Sequence, residues 1–153
     1  MDPWLHPTEI SQLLELLEQV QPTRCLEWGS GGSTVMLLAY PSVTELVSVE
    51  HDVRWFEQVR DAVQDPRLKL LHVPSNLPGD DERPGSPWAD KAEQDPLLLL
   101  DYVQRPQGVF DFIFVDGRAR RFCLRRGRTL LRPGGFMVLH DAQREVYQDV
   151  LKE

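Results

Sequence analysis

The stretch Leu26-Glu27-Trp28-Gly29-Ser30-Gly31-Gly32-Ser33-Thr34 decides the fold of this chain. A β-strand predicted over 23–27 ends at Glu27, and the glycines then turn the chain into a helix predicted over 34–40. Glycine adopts backbone angles that other residues avoid and lets a ligand approach the main chain closely. Amides at a helix start suit a carboxylate, and acidic Glu27 suits an ammonium group, so the stretch predicts a site for an amino-acid-like ligand. The alternative is a plain strand-to-helix turn without a ligand.

A second carboxylate follows one βα unit later. The next predicted strand, 45–50, ends in Glu50, about 20 positions after Gly29, where a carboxylate accepts hydrogen bonds from both hydroxyls of a ribose. The two acids therefore suit both ends of S-adenosylmethionine. A nicotinamide or flavin dinucleotide is the runner-up, but its fingerprint needs glycine at position 34, where this chain has Thr34. It would also set the acidic Glu27 close to a pyrophosphate.

Strand patterns alternate with helix patterns along the chain, which is typical of a parallel α/β sheet. We expect a Rossmann-like three-layer sandwich with five strands in the order 3-2-1-4-5, in one domain over residues 1–153. The remaining strands are predicted over 68–73, 110–115 and 136–139, the last after a turn at Pro133-Gly134-Gly135. The helices are predicted over 8–19, behind an Asp52 cap, over 119–131, and from an Asp141 cap to the C-terminus.

The stretch 74–94 differs from its surroundings. It is rich in proline and glycine and contains the acidic run Asp80, Asp81 and Glu82. We predict a long loop that leaves the third strand at the end where α/β folds bind ligands. It is either a cover over the ligand or a solvated excursion without a role.

Composition limits the classes of function. A net charge of −7 argues against broad nucleic-acid binding, although arginines cluster between Arg118 and Arg132. These arginines form either a solvated helix face offset by acids or a guide for an anionic acceptor. No apolar run reaches membrane-spanning length and the N-terminus lacks signal-peptide features, so we expect a cytoplasmic protein without a membrane partner. Cys25 and Cys123 are predicted to be buried thiols.

Four motifs in the right order give the chain a family resemblance. The opening stretch resembles the glycine-rich first motif of class I, Rossmann-like S-adenosylmethionine-dependent methyltransferases. Val47–Asp52 resembles their acidic second motif, Asp111–Gly117 their fourth-strand motif, and Leu130–Gly135 the loop before their fifth strand. The resemblance implies binding of S-adenosylmethionine, or of S-adenosylhomocysteine as product. It assigns cofactor binding to Glu27, Trp28, Gly29, Ser30, Gly31, Gly32, Ser33, Glu50, His51 and Asp116.

The chain departs from the family in two places. Ser33 replaces the last glycine of the first motif, and the sixth and seventh strands of the family sheet have no counterpart. The fifth strand would then be an open edge, which proteins usually cover or pair. We expect a second copy, as a homodimer, or the final helix to cover it.

Candidate catalytic residues end the fourth and fifth strands: Asp116, His140 and Asp141. His140 is a candidate general base because histidine titrates near neutral pH, and Arg118 or Arg121 can pair with an anionic acceptor. Asp116 and Asp141 also resemble the metal-holding acids of catechol-type O-methyltransferases. The amide residue that follows the second acid there is Ala142 here, and this incomplete set argues against a native divalent metal.

The acceptor is predicted by what the sequence lacks. Methyltransferases that act on base amino groups carry an Asn/Asp-Pro-Pro-aromatic motif after the fourth strand, where this chain has Asp116-Gly117-Arg118-Ala119. The resemblance therefore implies O-methylation of a small-molecule or sugar-like acceptor. A non-catalytic, oligomerising module that binds S-adenosylmethionine is the alternative, and a dinucleotide-dependent oxidoreductase is a weaker one.

Overall fold

A computed structural model describes residues 5–77, 83 and 85–153. Its centre is a five-stranded, fully parallel sheet in the order β3-β2-β1-β4-β5, so the predicted Rossmann-like α/β fold is confirmed. The strands are β1 Arg24–Trp28, β2 Glu45–Glu50, β3 Leu68–His72, β4 Phe110–Val115 and β5 Leu131–Leu139. The chain connections to β2 and β4, the two neighbours of β1, run on opposite sides of the sheet. This arrangement opens a crevice at the carboxyl end of β1.

Helices cover both faces of the sheet and complete the three layers. Side chains alternate along the buried strands, so Cys25 joins a core with α1 and α2, whereas Leu26 joins one with the later helices. Both cysteines are buried and unpaired, as predicted. No helix in the described part of the chain is long and apolar enough to cross a membrane. The helices are α1 Pro7–Val20, α2 Gly32–Leu38, α3 Val53–Ala62, α4 Pro87–Ala92, α5 Leu100–Gln104, α6 Arg120–Leu130 and α7 Gln148–Leu151, with a 3₁₀ turn at Glu145–Tyr147.

The predicted loop over 74–94 is wrong in its second half, which contains α4. The Ser86 hydroxyl accepts from the Ala89 amide at 3.1 Å, Pro87 opens the helix, and Trp88 is buried. A short helix that follows a glycine and a serine and is opened by proline resembles a loop in sequence. The predicted acids Asp80, Asp81 and Glu82 lie outside the described residues.

Two boundaries near the C-terminus also differ from the prediction. β5 begins at Leu131, and the predicted Pro-Gly-Gly turn is an irregularity inside the strand, because Phe110 pairs with Leu131 and Phe112 with Phe136. Asp141 caps no helix: it has a φ of +57° and the last helix begins only at Gln148.

The edge strand β5 is only partly covered. The final helix α7 packs against α6, where Arg128 Nη2 donates to the Val150 carbonyl at 2.5 Å and Val150 is buried. Phe136 of β5 remains 45% exposed. The homodimer therefore stays a prediction.

Candidate cofactor and acceptor site

A cleft of about 1310 Å³ lies at the carboxyl ends of the strands. The turn after β1 forms its floor, the end of β2 one wall, and the ends of β4 and β5 the other. Ten of the predicted site residues line it: Gly29, Ser30, Gly31, Gly32, Ser33, Glu50, His51, Asp116, His140 and Asp141. Glu27 and Trp28 do not.

Glu50 is held at the wall of the cleft by backbone amides. Its Oε1 accepts from the Ser30 amide at 3.1 Å, and its Oε2 accepts from the Asp52 amide at 2.9 Å. Asp52 caps α3 as predicted, accepting from the Arg54 and Trp55 amides. The carboxylate thus links the glycine turn to the start of α3 and faces the cleft in a fixed orientation.

Glu27 lies beneath the floor of the cleft, which differs from the expectation that it faces a ligand. Its side chain is fully buried and accepts from the hydroxyls of Ser33, Thr34 and Ser48. Burial raises the pKa of Glu27 from 4.5 to about 7, although the hydrogen bonds from Thr34, Ser48 and Ser33 act in the opposite direction. Direct binding of a cofactor ammonium by Glu27 therefore stays a prediction.

Trp28 is a core residue. It is fully buried, and its indole Nε1 donates to the Tyr102 carbonyl at 3.1 Å. Its place in the glycine-rich motif gave no indication of this, because strand alternation does not separate a buried aromatic side chain from a ligand-facing one. A different indole reaches the turn: Trp55 of α3, which sequence analysis did not assign to the site, donates from Nε1 to the Ser30 carbonyl.

Two glycines bring β1 and β4 together at the floor. Gly29 has a φ of +96°, and a Cβ there would lie 2.6 Å from the Gly117 nitrogen. A Cβ on Gly117 would lie 2.1 Å from the Tyr102 hydroxyl. Both positions therefore require glycine, which explains why the first and fourth-strand motifs each contain one here.

His51 contributes an aromatic wall. Its ring stacks on Trp88 of α4 with centroids 5.5 Å apart, and Tyr102 of α5 meets it edge-on at 5.9 Å. Neither Trp88 nor Tyr102 was predicted to lie near the site, because both fall in segments without a clear periodic pattern.

The three predicted catalytic residues meet at the other end of the cleft. His140 Nδ1 lies 2.8 Å from Asp116 Oδ1, and His140 Nε2 lies 2.8 Å from Glu9 Oε2 and 3.6 Å from Asp141 Oδ1. The interaction with Asp116 holds the pKa of His140 above its ordinary 6.5, against the opposing effect of burial. The neighbouring carboxylates thus favour the imidazolium form of His140.

Arg120, which the sequence did not indicate as a site residue, also lines this end of the cleft. It is buried, and its guanidinium donates to the Gly117 carbonyl and the His140 carbonyl, each at 2.8 Å. It also lies 3.5 Å from Asp116 and 3.9 Å from Asp141. One side chain therefore ties the ends of β4 and β5 together. The sequence offered no clear local signal for this role, because Asp116 precedes the helix and the His140 carbonyl lies 20 residues away.

The arginine cluster is largely neutralised by the C-terminal segment. Arg121 lies 2.5 Å from Asp149, and both Arg125 and Arg128 lie 2.9 Å from Glu153. The interpretation of a helix face offset by acids is therefore correct for these residues. Arg121 does not line the cleft, whereas Arg118 does.

The metal set of catechol-type enzymes does not fit this site. Asp116 is engaged by His140, Ala142 offers no side-chain oxygen, and Arg144 Nη2 lies 2.9 Å from Asp141 Oδ2. Glu9, His140 and Asp141 do place ligand-type atoms within 4.8 Å of one another. His140 and Arg144 already pair with Glu9 and Asp141, so these carboxylates have partners within the chain.

Solved structures share this architecture. A methyltransferase-like protein from Silicibacter pomeroyi matches with a TM-score of 0.61 and 23% identity, covering 99% of this chain and 79% of that one. An O-methyltransferase from Bacillus cereus in complex with SAH matches with a TM-score of 0.63 and 20% identity, covering 93% and 60%. The chain has the class I methyltransferase fold.

The class I fold is not restricted to methyl transfer. Spermidine synthase in complex with the transition state analogue AdoDATO matches with a TM-score of 0.59 and 16% identity, covering 91% of this chain and 46% of that one. Neither a family model nor a curated protein sequence matches the chain. At these identities the comparisons establish the fold alone, so an activity has to be inferred from the residues of the cleft.

Proposed function

We propose that this chain binds S-adenosylmethionine in the cleft and transfers its methyl group to an oxygen atom of a small-molecule or sugar-like acceptor. The observation that carries the proposal is the Glu50 carboxylate, buried to 5% exposure yet lining the cleft beside the glycine turn. The B. cereus protein with this fold was solved with SAH, and the spermidine synthase with an adenosyl analogue. Both facts favour an adenosyl ligand over a dinucleotide.

The residues of the cleft fit the adenosine end of such a ligand. Each Glu50 oxygen accepts one amide bond, and His51 Nδ1 lies 3.3 Å from Oε2, so a carboxylate with about four lone-pair sites keeps capacity for ribose hydroxyls, above all on Oε1. His51 adds an aromatic ring against which a flat base can pack, and Gly31 and Gly32 leave the floor without side chains. When bound, S-adenosylmethionine supplies an electrophilic methyl group on a sulfonium.

The acceptor end of the cleft supplies proton handling. As the acceptor oxygen bonds to the methyl carbon, the sulfur–carbon bond breaks and the hydroxyl proton must leave. We assign that proton to the Asp116–His140 pair, with Asp141 beside it, because all three line the cleft. His140 can accept a proton only when it is neutral and its Nε2 is released from Glu9. Glu9 therefore controls whether His140 can act as the base. Arg118 is available to orient an acidic group on the acceptor.

Calorimetry tests the cofactor assignment. We expect S-adenosylhomocysteine to bind, and Glu50→Ala to weaken binding by about 1–3 kcal/mol through loss of the ribose hydrogen bonds. The 2′,3′-dideoxy analogue separates this loss from a collapse of the turn, because it has no hydroxyls for Glu50 to bind. Glu57→Gln, a change on the exposed face of α3, is the control.

Three outcomes count against the proposal. Equal losses with both ligands would mean that Glu50 acts only through the fold. Binding of a nicotinamide dinucleotide instead would favour an oxidoreductase. Binding of S-adenosylmethionine without labelled-methyl transfer to any hydroxyl in a broad acceptor panel would favour a non-catalytic module.

A further inference from the structure

Glu27 has no exposed surface, and its carboxylate accepts hydrogen bonds from three hydroxyl groups of the protein. Its Oε2 accepts from Ser33 Oγ at 2.8 Å, and its Oε1 accepts from Ser48 Oγ at 2.8 Å and from Thr34 Oγ1. A carboxylate offers about four lone-pair sites. Three of them are therefore filled by hydroxyls of the protein itself.

The hydroxyls extend this network into the turn. Thr34 Oγ1 also accepts from the Gly31 amide at 2.9 Å, and Ser48 Oγ lies 2.5 Å from Ser30 Oγ. Each of Ser30, Gly31, Ser33 and Thr34 thus reaches Glu27 directly or through one hydroxyl. Besides Glu50, which binds the Ser30 amide, the Glu27 carboxylate therefore holds the turn from beneath the floor of the cleft.

The backbone of the turn leaves no route from the cleft to that carboxylate. Ser30, Gly31, Gly32 and Ser33 line the cleft, whereas Glu27 does not and is fully buried behind them. A ligand ammonium would have to displace the Ser33 or Thr34 hydroxyl to reach it. Displacing either hydroxyl would loosen the turn on which the ligand rests.

We propose that Glu27 is a positioning residue that fixes the glycine turn through Ser33, Thr34 and Ser48 and does not contact the cofactor. The effect on cofactor binding rests on the proposed function. The effect on the turn stands independently, because these hydrogen bonds join groups of the chain itself. Ser33 has a place in this network that glycine cannot fill, which gives the departure from the family motif a physical reason.

Hydrogen exchange of the ligand-free protein tests the effect on the turn. In Glu27→Gln, the Gly31 amide is expected to exchange about tenfold faster or more. The Thr34 hydroxyl loses the carboxylate that orients it, and its hydrogen bond from the Gly31 amide is weakened as a result. Ser48→Ala is the milder variant if Glu27→Gln unfolds, and it should show a smaller increase at the same amide. Glu57→Gln should show none. Unchanged exchange in both test variants overturns the proposal.

A chemical cycle tests the absence of contact. Binding of S-adenosylhomocysteine is compared with binding of its analogue lacking the α-amino group, in wild type and in Glu27→Gln. A positioning role predicts the same loss for both ligands, within about twofold. A loss for S-adenosylhomocysteine about tenfold or more greater than for the analogue would show direct contact with the ammonium and overturn the proposal.

The two arms also separate this inference from the proposed function. If the wild-type protein binds neither ligand, the proposed function fails, and the exchange of the Gly31 amide still decides whether Glu27 fixes the turn. If both ligands bind and exchange is unchanged, the proposed function stands and the positioning role fails.

Discussion

His140 is paired with Asp116, its Nδ1 lying 2.8 Å from Asp116 Oδ1 across the ends of β4 and β5. Glu9 of α1 faces the opposite ring nitrogen, also at 2.8 Å. The two carboxylates favour the imidazolium form, and the backbone carbonyl of the same histidine accepts from Arg120. At the acceptor end of the cleft, His140 therefore connects α1 with the ends of β4 and β5.

This pairing predicts a pH dependence of stability. The folded protein raises the pKa of His140 above 6.5, so the imidazolium contributes stability that is complete below about pH 6.5 and is lost as the pH rises through the raised pKa. We expect the free energy of unfolding in urea to fall over that window. His140→Gln should abolish this part of the fall. A wild-type slope that persists unchanged in His140→Gln would contradict the assignment.

The same residue predicts a pH dependence of methyl transfer to a hydroxyl acceptor. Because only neutral His140 accepts a proton, kcat should increase with pH through the raised pKa. Glu9→Gln removes one stabilising carboxylate and frees Nε2, so it should shift the profile to lower pH. Glu18→Gln, an exposed change on the same helix, should leave the profile in place. A pH-independent rate would exclude His140 as the base.

The close approach of Gly117 and Tyr102 predicts a rescue experiment. Gly117→Ala places a Cβ 2.1 Å from Tyr102 Oη, which must move, and should cost about 1–3 kcal/mol of unfolding free energy. Tyr102 Oη is buried without a hydrogen-bond partner among the described residues, so Tyr102→Phe alone should cost little. The double variant should recover most of the loss in thermal or urea unfolding. Additive losses would show that the clash lies elsewhere.

Asp111 at the start of β4 predicts a large loss of stability. It is buried and accepts from the Thr23 amide at 3.0 Å, the Thr23 hydroxyl at 2.6 Å and the Arg24 amide at 3.0 Å. Asp111→Ala leaves these donors without a charged acceptor and should cost about 3 kcal/mol in urea unfolding. Asp61→Ala, at an exposed position, should change stability by less than about 0.5 kcal/mol. Equal effects of the two substitutions would contradict this account.

Periodicity predicted the sheet well, because each strand is apolar enough to be buried and is bounded by turn residues. The strand order, the bounds of β2 and β4, and the Asp52 cap agree with the structure. It could not predict which way Glu27 points, because the hydroxyl of Ser48 that binds it comes from the neighbouring strand. Long-range partners also explain why Glu9 and Arg120 were missed: their contacts join segments far apart in the chain.

The irregular part of β5 limits how many main-chain hydrogen bonds an added strand could form with this edge of the sheet. Pro133 has no N–H to donate, and Gly134 with a φ of +81° interrupts the regular row of donors and acceptors. A regular intermolecular ladder would therefore be confined to the segment 136–139, where Phe136 is exposed. Any assembly through this strand must gain its specificity from side chains around Phe136, since so short a run of main-chain bonds offers little register control.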